Sequence, residues 1–196
     1  MKGGIFFFLF AAIASAMALI EFYTLVQSKG AKPLVTLGVI SGFFVNLSFY
    51  NDKLHALIAD ALHVGGVPFP TSSQFLMITL LLSIAVFGLV ELFRNNGSAI
   101  LNLATTIIGV LYIPLFFGAF IGIRELFIPV DFPFLRFFPN DSAVLNVTNL
   151  DTVYKWGGYT VISIFAMIWI CDSAAYYGGM LTGKHKLFPR VSFKKS

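Results

Sequence analysis

The sequence predicts an all-α, polytopic membrane protein of about five transmembrane helices, and three observations predict it. Of 196 residues, 58% are hydrophobic and only 11% are charged, against roughly 25% charged in an ordinary soluble domain. The mean hydropathy is +0.86. The apolar residues fall in blocks close to the ~20 that a helix needs to cross a bilayer core of about 30 Å. Water is therefore not the main solvent, and a single membrane domain over residues 1–196 is the economical reading. A net charge of +4 would hint at nucleic acid in a soluble protein, but here the bases read as anchors beside anionic membrane lipid, with no nucleic-acid partner.

The first crossing, residues 5–26, is apolar apart from small residues, Glu21 and Tyr23, and is followed by Lys29, Gly30 and Lys32. A signal peptide competes for this segment, because Lys2 precedes the phenylalanine run and Ala14-Ser15-Ala16 resembles a cleavage site. The apolar character runs on to Val26, beyond a signal core, which favours a crossing. The second crossing is 34–50, with Asn46 and Ser48 expected to form interhelical hydrogen bonds. Between Asn51 and Ser73 a short helix should end at Gly65-Gly66. The third crossing, 74–93, ends on Glu91, and Arg94 three residues later should pair with it. Glu21 and Glu91, as acids near helix ends in lipid, are the alternative functional candidates there. In the second helix and the fourth, 100–123, Gly38-x-x-x-Gly42 and Gly118-x-x-x-Gly122 should let neighbouring helices approach closely. Pro129 to Lys155 reads as an interfacial loop, and its Asn146-Val147-Thr148 triplet matters only if the loop enters an ER lumen. The fifth crossing is 157–171. The single cysteine, Cys171, excludes an intrachain disulfide and a cysteine zinc site, and beside Trp169 and Ile170 it reads as packing.

Five crossings place Lys29, Lys32, Arg94, Lys184, Lys186, Arg190, Lys194 and Lys195 on one side of the membrane. The other side receives Lys2, Lys53, Arg124, Arg136 and Lys155. Because basic residues gather on the cytoplasmic side, the basic C-terminal tail, 172–196, is expected in the cytoplasm.

The tail has a chemical logic of its own. A carboxylate at the membrane surface, Asp172, can hold a divalent cation, and the glycines after it let a nucleotide approach the backbone. Lys184, Lys186, Arg190, Lys194 and Lys195 can neutralise a triphosphate. Spacing alone equally fits a polybasic membrane anchor that follows a helix-ending aspartate.

The residue order adds to this. Asp172-x-x-Ala175-Tyr176-x-Gly178, then Gly183-Lys184-His185-Lys186-Leu187-x-Pro189-x-x-Ser192-x-Lys194-Lys195-Ser196, is similar to the first half of the active-site region of the phosphatidate cytidylyltransferase family. Glu21-Phe22-Tyr23 with Lys29-Gly30 and Pro33, and Gly109-x-x-Tyr112-Ile113 followed by Arg124, resemble further landmarks of that family. The resemblance implies a multi-pass enzyme of a cell inner (plasma) membrane that joins CTP to phosphatidate, releasing diphosphate and leaving CDP-diacylglycerol for phospholipid synthesis. It implies Mg2+ as cofactor, with Asp172 as metal ligand and Asp172, Lys184 and Lys186 as the catalytic set. Tyr176, Gly178, Gly183, His185, Arg190, Ser192, Lys194 and Lys195 would bind substrate, and a homodimer is compatible with it.

The pattern departs from the family at Phe193, where a proline is usual, and at Gly179, where a basic residue is common. Family members also continue past the equivalent of Ser196 into a second motif rich in Asp, Gly and His, and begin with one more helix. The expectation is therefore a truncated chain, inactive on its own. A CTP-dependent polyprenol or phytol kinase is the alternative enzyme. A nonenzymatic remnant or scaffold is the alternative outside enzymes.

Overall fold

The computed structural model describes residues 3–62, 69–125 and 147–182, and among these every regular element is an α-helix. They are α1 (Gly3–Gln27), α2 (Val35–Ser48), α3 (Asn51–Leu62), α4 (Ser72–Phe93), α5 (Ala99–Arg124) and α6 (Val147–Thr182). Helix is the only solution available to single segments in hydrocarbon, because all their backbone groups must be satisfied internally. Thr71 starts α4 with a reciprocal cap: its hydroxyl accepts from Gln74 N at 3.3 Å, and the Gln74 side chain accepts from Thr71 N at 3.0 Å.

Four helices, α1, α4, α5 and α6, are long and apolar enough to cross a membrane. The second crossing, expected at 34–50, is α2, which matches it to within two residues at each end but is short. α2 has 14 residues, about 21 Å at about 1.5 Å per residue, short of an apolar core of about 30 Å. A two-residue turn at Phe49-Tyr50 then leads into α3. Leu34 N donates to Thr106 Oγ1 at one end of this stretch, and Lys53 Nζ pairs with Glu125 at the other. The stretch thus runs beside α5 from Thr106 to Glu125, about 28 Å of helix rise. Short helix, turn and the first turn of α3 together cover one crossing.

α5 is the central element and packs with α1, α2, α4 and α6. Its partners approach closely because small residues sit where they meet. Gly38 lies under the Tyr23 hydroxyl, Gly42 meets Pro114 and Leu19, and Gly118 lies against the Phe49 ring. A Cβ on Gly109 would come within 2.6 Å of Tyr23 Cε1. Both glycine pairs expected to permit close approach therefore do so. Tyr23 is fully buried between Gly38 and Gly109, and its hydroxyl donates to Thr106 O at 2.9 Å. α1 is thus locked into the bundle through the tyrosine and glycine that the sequence marks as landmarks.

Several expectations are corrected here. The last helix does not stop at Cys171: α6 runs to Thr182 and begins at Val147, inside the expected 129–155 loop. Hydropathy marks where lipid ends, not where backbone hydrogen bonding ends, and no proline interrupts the chain between Val147 and Thr182. Cys171 is exposed on α6 and does not pack inside the protein. Asn46 and Ser48 do not bridge helices: Ser48 Oγ donates to Val45 O of its own helix at 2.7 Å, and the buried Asn46 amide has no hydrogen-bond partner among the described residues. The expected Gly65-Gly66 stop, the 129–146 part of the loop and Asn146 of the triplet lie outside the described residues.

Valine at Gly109 would force a side chain into the Tyr23 ring, which has no room to swing away. Gly109→Val is expected to destabilise the protein by about 1–3 kcal/mol. Gly88→Val, where a Cβ meets nothing within 4 Å, should be near neutral. Thermal unfolding in detergent distinguishes the two, and equal melting temperatures would contradict this packing.

Candidate functional site

The two ends of the bundle differ in chemistry. At the end where α3 starts and α5 finishes, Lys53 Nζ forms a buried ion pair with Glu125. Gly4 on the first turn of α1 lies against that carboxylate, within 2.6 Å of Oε1 for an ideal Cβ. A negative group at a helix N-terminus is favoured by the helix dipole. The charges of Lys53 and Glu125 are thus matched inside the protein at this end.

The other end carries a polar network that joins two connections. The link from α1 to α2 turns at Gly30 (φ 92), and the link from α4 to α5 turns at Gly97 (φ 80), left-handed conformations that glycine adopts without steric cost. Asn102, in the first turn of α5 and 1% exposed, holds both links. Its Oδ1 accepts from Lys32 N at 2.6 Å, and its Nδ2 donates to Glu91 Oε1 at 2.7 Å and to Asn96 O at 2.8 Å. Lys32 Nζ donates to Asn96 Oδ1 at 2.6 Å, and Arg94 Nη1 donates to Lys32 O at 2.9 Å. The expected pair of Glu91 with Arg94 is present, Nη1 to Oε2 at 3.5 Å. Glu91 is buried, whereas Glu21 is exposed.

α6 returns antiparallel to α5. Gly157 meets the backbone at Ile123 and Arg124, and further along α6 Phe165 stacks on Phe120 at 5.3 Å. The C-terminal end of α6 therefore points to the side of α5's first turn, the side of Lys32 and Arg94. Asp172 sits in the α6 helix and is exposed; Tyr176, one turn on, shares its face and is 65% exposed. Gly178 has open space where a side chain would start. Gly183, Lys184, His185, Lys186, Arg190, Ser192, Lys194 and Lys195 lie outside the described residues.

Among the described residues no three His, Cys, Asp or Glu side chains come together. The described residues form no all-protein cage, so Asp172 would serve a cation only if that cation arrived with its own phosphate ligands. Magnesium is bound in that way at many phosphate sites, through one or two carboxylates plus substrate oxygens, so Asp172 fits that role.

Asn102 and Thr106 have no part in the sequence reading. Their signal was present: Asn102 and Thr106, four apart at the start of a largely apolar helix, share one face, with Thr105 on another. Thr106 Oγ1 both donates to Asn102 O at 2.7 Å and accepts from Leu34 N at 2.9 Å, extending the same network.

Comparison with known proteins gives one match. The model of the cytidylyltransferase family matches residues 1–196. No curated protein and no solved structure matches the chain.

Asn102→Ala should leave Lys32 N and Glu91 Oε1 without their partner. Each lost bond at a buried polar group costs about 1–3 kcal/mol, and both links should loosen together. Limited trypsin digestion in detergent should then cut after Lys29 at least tenfold faster than in the unaltered protein; Lys32 precedes Pro33 and resists trypsin in either case. Equal cleavage rates would show that Asn102 does not hold the links.

Proposed function

The chain belongs to the cytidylyltransferase family, and from that premise we propose that it carries part of a site that joins CTP to phosphatidate, forming CDP-diacylglycerol and diphosphate at an inner membrane. The observation that carries this reading is the stretch Asp172-x-x-Ala175-Tyr176-x-Gly178 on an exposed part of α6, running toward the bundle end that bears Lys29, Lys32 and Arg94.

In the proposed reaction a phosphate oxygen of phosphatidate forms a bond to the α-phosphorus of CTP. The bond from that phosphorus to the bridging oxygen of the β-phosphate breaks, and diphosphate leaves in line. A phosphate monoester is largely deprotonated at neutral pH, its second pKa being about 6, so no strong general base is needed. The difficulty is electrostatic, because two anions must meet. Lys184, Lys186 and Arg190 answer it as clamps on the nucleotide phosphates, with Lys194 and Lys195 at the same lipid–water boundary. His185 serves as a hydrogen-bonding neighbour, and Gly183 and Ser192 shape the backbone around the phosphates. Asp172 holds Mg2+, which when bound spreads the negative charge on the reacting phosphates. Tyr176 and Gly178, one and nearly two turns beyond Asp172, leave room for the nucleotide beside the helix.

Magnesium-dependent binding of labelled CTP to the purified protein tests the assignment. Asp172→Asn is expected to remove the dependence on magnesium, and Lys184→Ala to weaken binding about tenfold, the lower end of the scale for a charged hydrogen bond. Unchanged CTP affinity in both variants would reject the site.

The same reading puts the tail in the cytoplasm. In a Cys171→Ser background, an impermeant thiol reagent applied to intact cells should label Ser142→Cys and spare Ser192→Cys. The reverse pattern would invert the topology.

A further inference from the structure

Resting on the phosphatidate reading, we propose that the rim where α4 ends is the docking site of the lipid substrate. Lys32 and Arg94 receive its phosphomonoester headgroup, and one acyl chain lies along Leu89, Val90 and Phe93.

A shallow groove of about 350 Å³ is lined by Leu89, Val90, Phe93 and Arg94. Three walls are apolar and one is cationic. Leu89 is 60% and Phe93 84% exposed, and both belong to the last turns of a membrane-crossing helix, so they face hydrocarbon next to the headgroup level. A nucleotide has no use for such walls, whereas an acyl chain does. The cation stands where the helix ends and the chain leaves the lipid.

Arg94 is positioned and does not wander. Its Nη1 is fixed by Lys32 O and by Glu91, and Glu91 is fixed in turn by Asn102. An ion pair with a partly exposed arginine adds little stability, so a buried carboxylate beside lipid is better explained by what it aims. Among the described residues Nη2 and Nε of the fork take no partner, which leaves them for a phosphate in the planar geometry that suits its oxygens. Lys32 adds an ammonium that uses one of its three hydrogens on Asn96. Around this rim Lys29, Lys32 and Arg94 stand against Glu91, three positive charges minus one negative, leaving +2. Glu21 lies two turns below Lys29 on the exposed side of α1. A phosphate monoester carries about −1.5 to −2 at neutral pH, a closer match than the single charge of a phosphodiester lipid.

Native mass spectrometry of the protein in detergent tests this, with dioleoyl phosphatidate, dioleoyl phosphatidylglycerol or dioleoyl phosphatidylcholine added and neither CTP nor magnesium present. The expected order of retained lipid is phosphatidate first, phosphatidylglycerol well below it and phosphatidylcholine last. Arg94→Gln should lower phosphatidate retention about tenfold. Val90→Trp, which fills the groove and leaves the polar network intact, should do the same, and Met77→Trp on the exposed face of α4 far from the rim should change nothing. Soluble glycerol 3-phosphate should not displace the lipid. Equal retention by the unaltered protein and both rim variants would overturn the proposal, as would equal uptake of phosphatidylglycerol or displacement by glycerol 3-phosphate. Because CTP is absent, failure here leaves the nucleotide site standing, and failure of CTP binding leaves this result standing.

Discussion

Asn102 uses both ends of its amide to hold together two connections that sequence separates by more than sixty residues. In a membrane protein the links between helices must satisfy their backbone groups close to lipid, where an unpaired group costs several kcal/mol. Here the solution is one side chain that accepts from the α1–α2 link and donates to the α4–α5 link and to Glu91. The carboxylate then has a reason to be buried, Arg94 has a fixed anchor, and Lys32 is held from both its backbone and its side chain. Removing the amide would leave a buried acid with one partly exposed partner, so the rim and the loops depend on the same residue.

The interior of the bundle is governed by a different constraint. Hydrophobic burial gives no net drive between helices in lipid, so contact must come from close packing. Tyr23 supplies bulk on α1, and Gly38 and Gly109 supply matching recesses on α2 and α5. One turn along, Leu19 meets Gly42, and further on Phe8 stacks on Tyr50 at 4.9 Å. This regular antiparallel register carries α1 and α2 to the far end, where Lys53 and Glu125 meet. Each steric fit inside therefore sets the position of a polar contact at an end.

Helices α1, α4 and α5 were legible to within two residues at each boundary, because apolar blocks bounded by Gly, Asn and basic residues mark where lipid stops. The second crossing was equally legible at its bounds, but not that 14 residues of α2 would need the turn at Phe49-Tyr50 and the start of α3 to complete it, since hydropathy sums over residues and is blind to a bend. α6 exceeded its expected length for the same reason: from Asp172 to Thr182 the run is less apolar, with Asp172, Ser173, two tyrosines and two glycines, yet no proline stops the helix. Of the candidate site, Asp172, Tyr176 and Gly178 could be named from their order, and the Glu91–Arg94 pair from spacing. Asn102 could not be ranked above Asn46, although both are polar residues in apolar helices. One bonds to three groups and the other to none among the described residues. The difference lies in partners distant in sequence, which periodicity does not contain.

The two ends also explain how one set of cations can serve orientation and chemistry. At the far end Lys53 is buried against Glu125, so its charge is already matched inside the protein. At the near end Lys29 and Lys32 are exposed and Arg94 is held at the surface with its side chain 30% exposed. Counting basic residues treats all of these alike, but only exposed charges interact with anionic lipid at the surface. Among the described residues the near end presents Lys29, Lys32 and Arg94 outward, whereas at the far end the charge of Lys53 is matched by Glu125 and Lys155 is exposed. On the proposed reading, a chain anchored by such a rim would hold phosphate-bearing lipid at the bundle end toward which α6 carries the exposed Asp172. Anchoring and substrate capture then become two uses of one electrostatic feature, separable only by which headgroup the rim prefers.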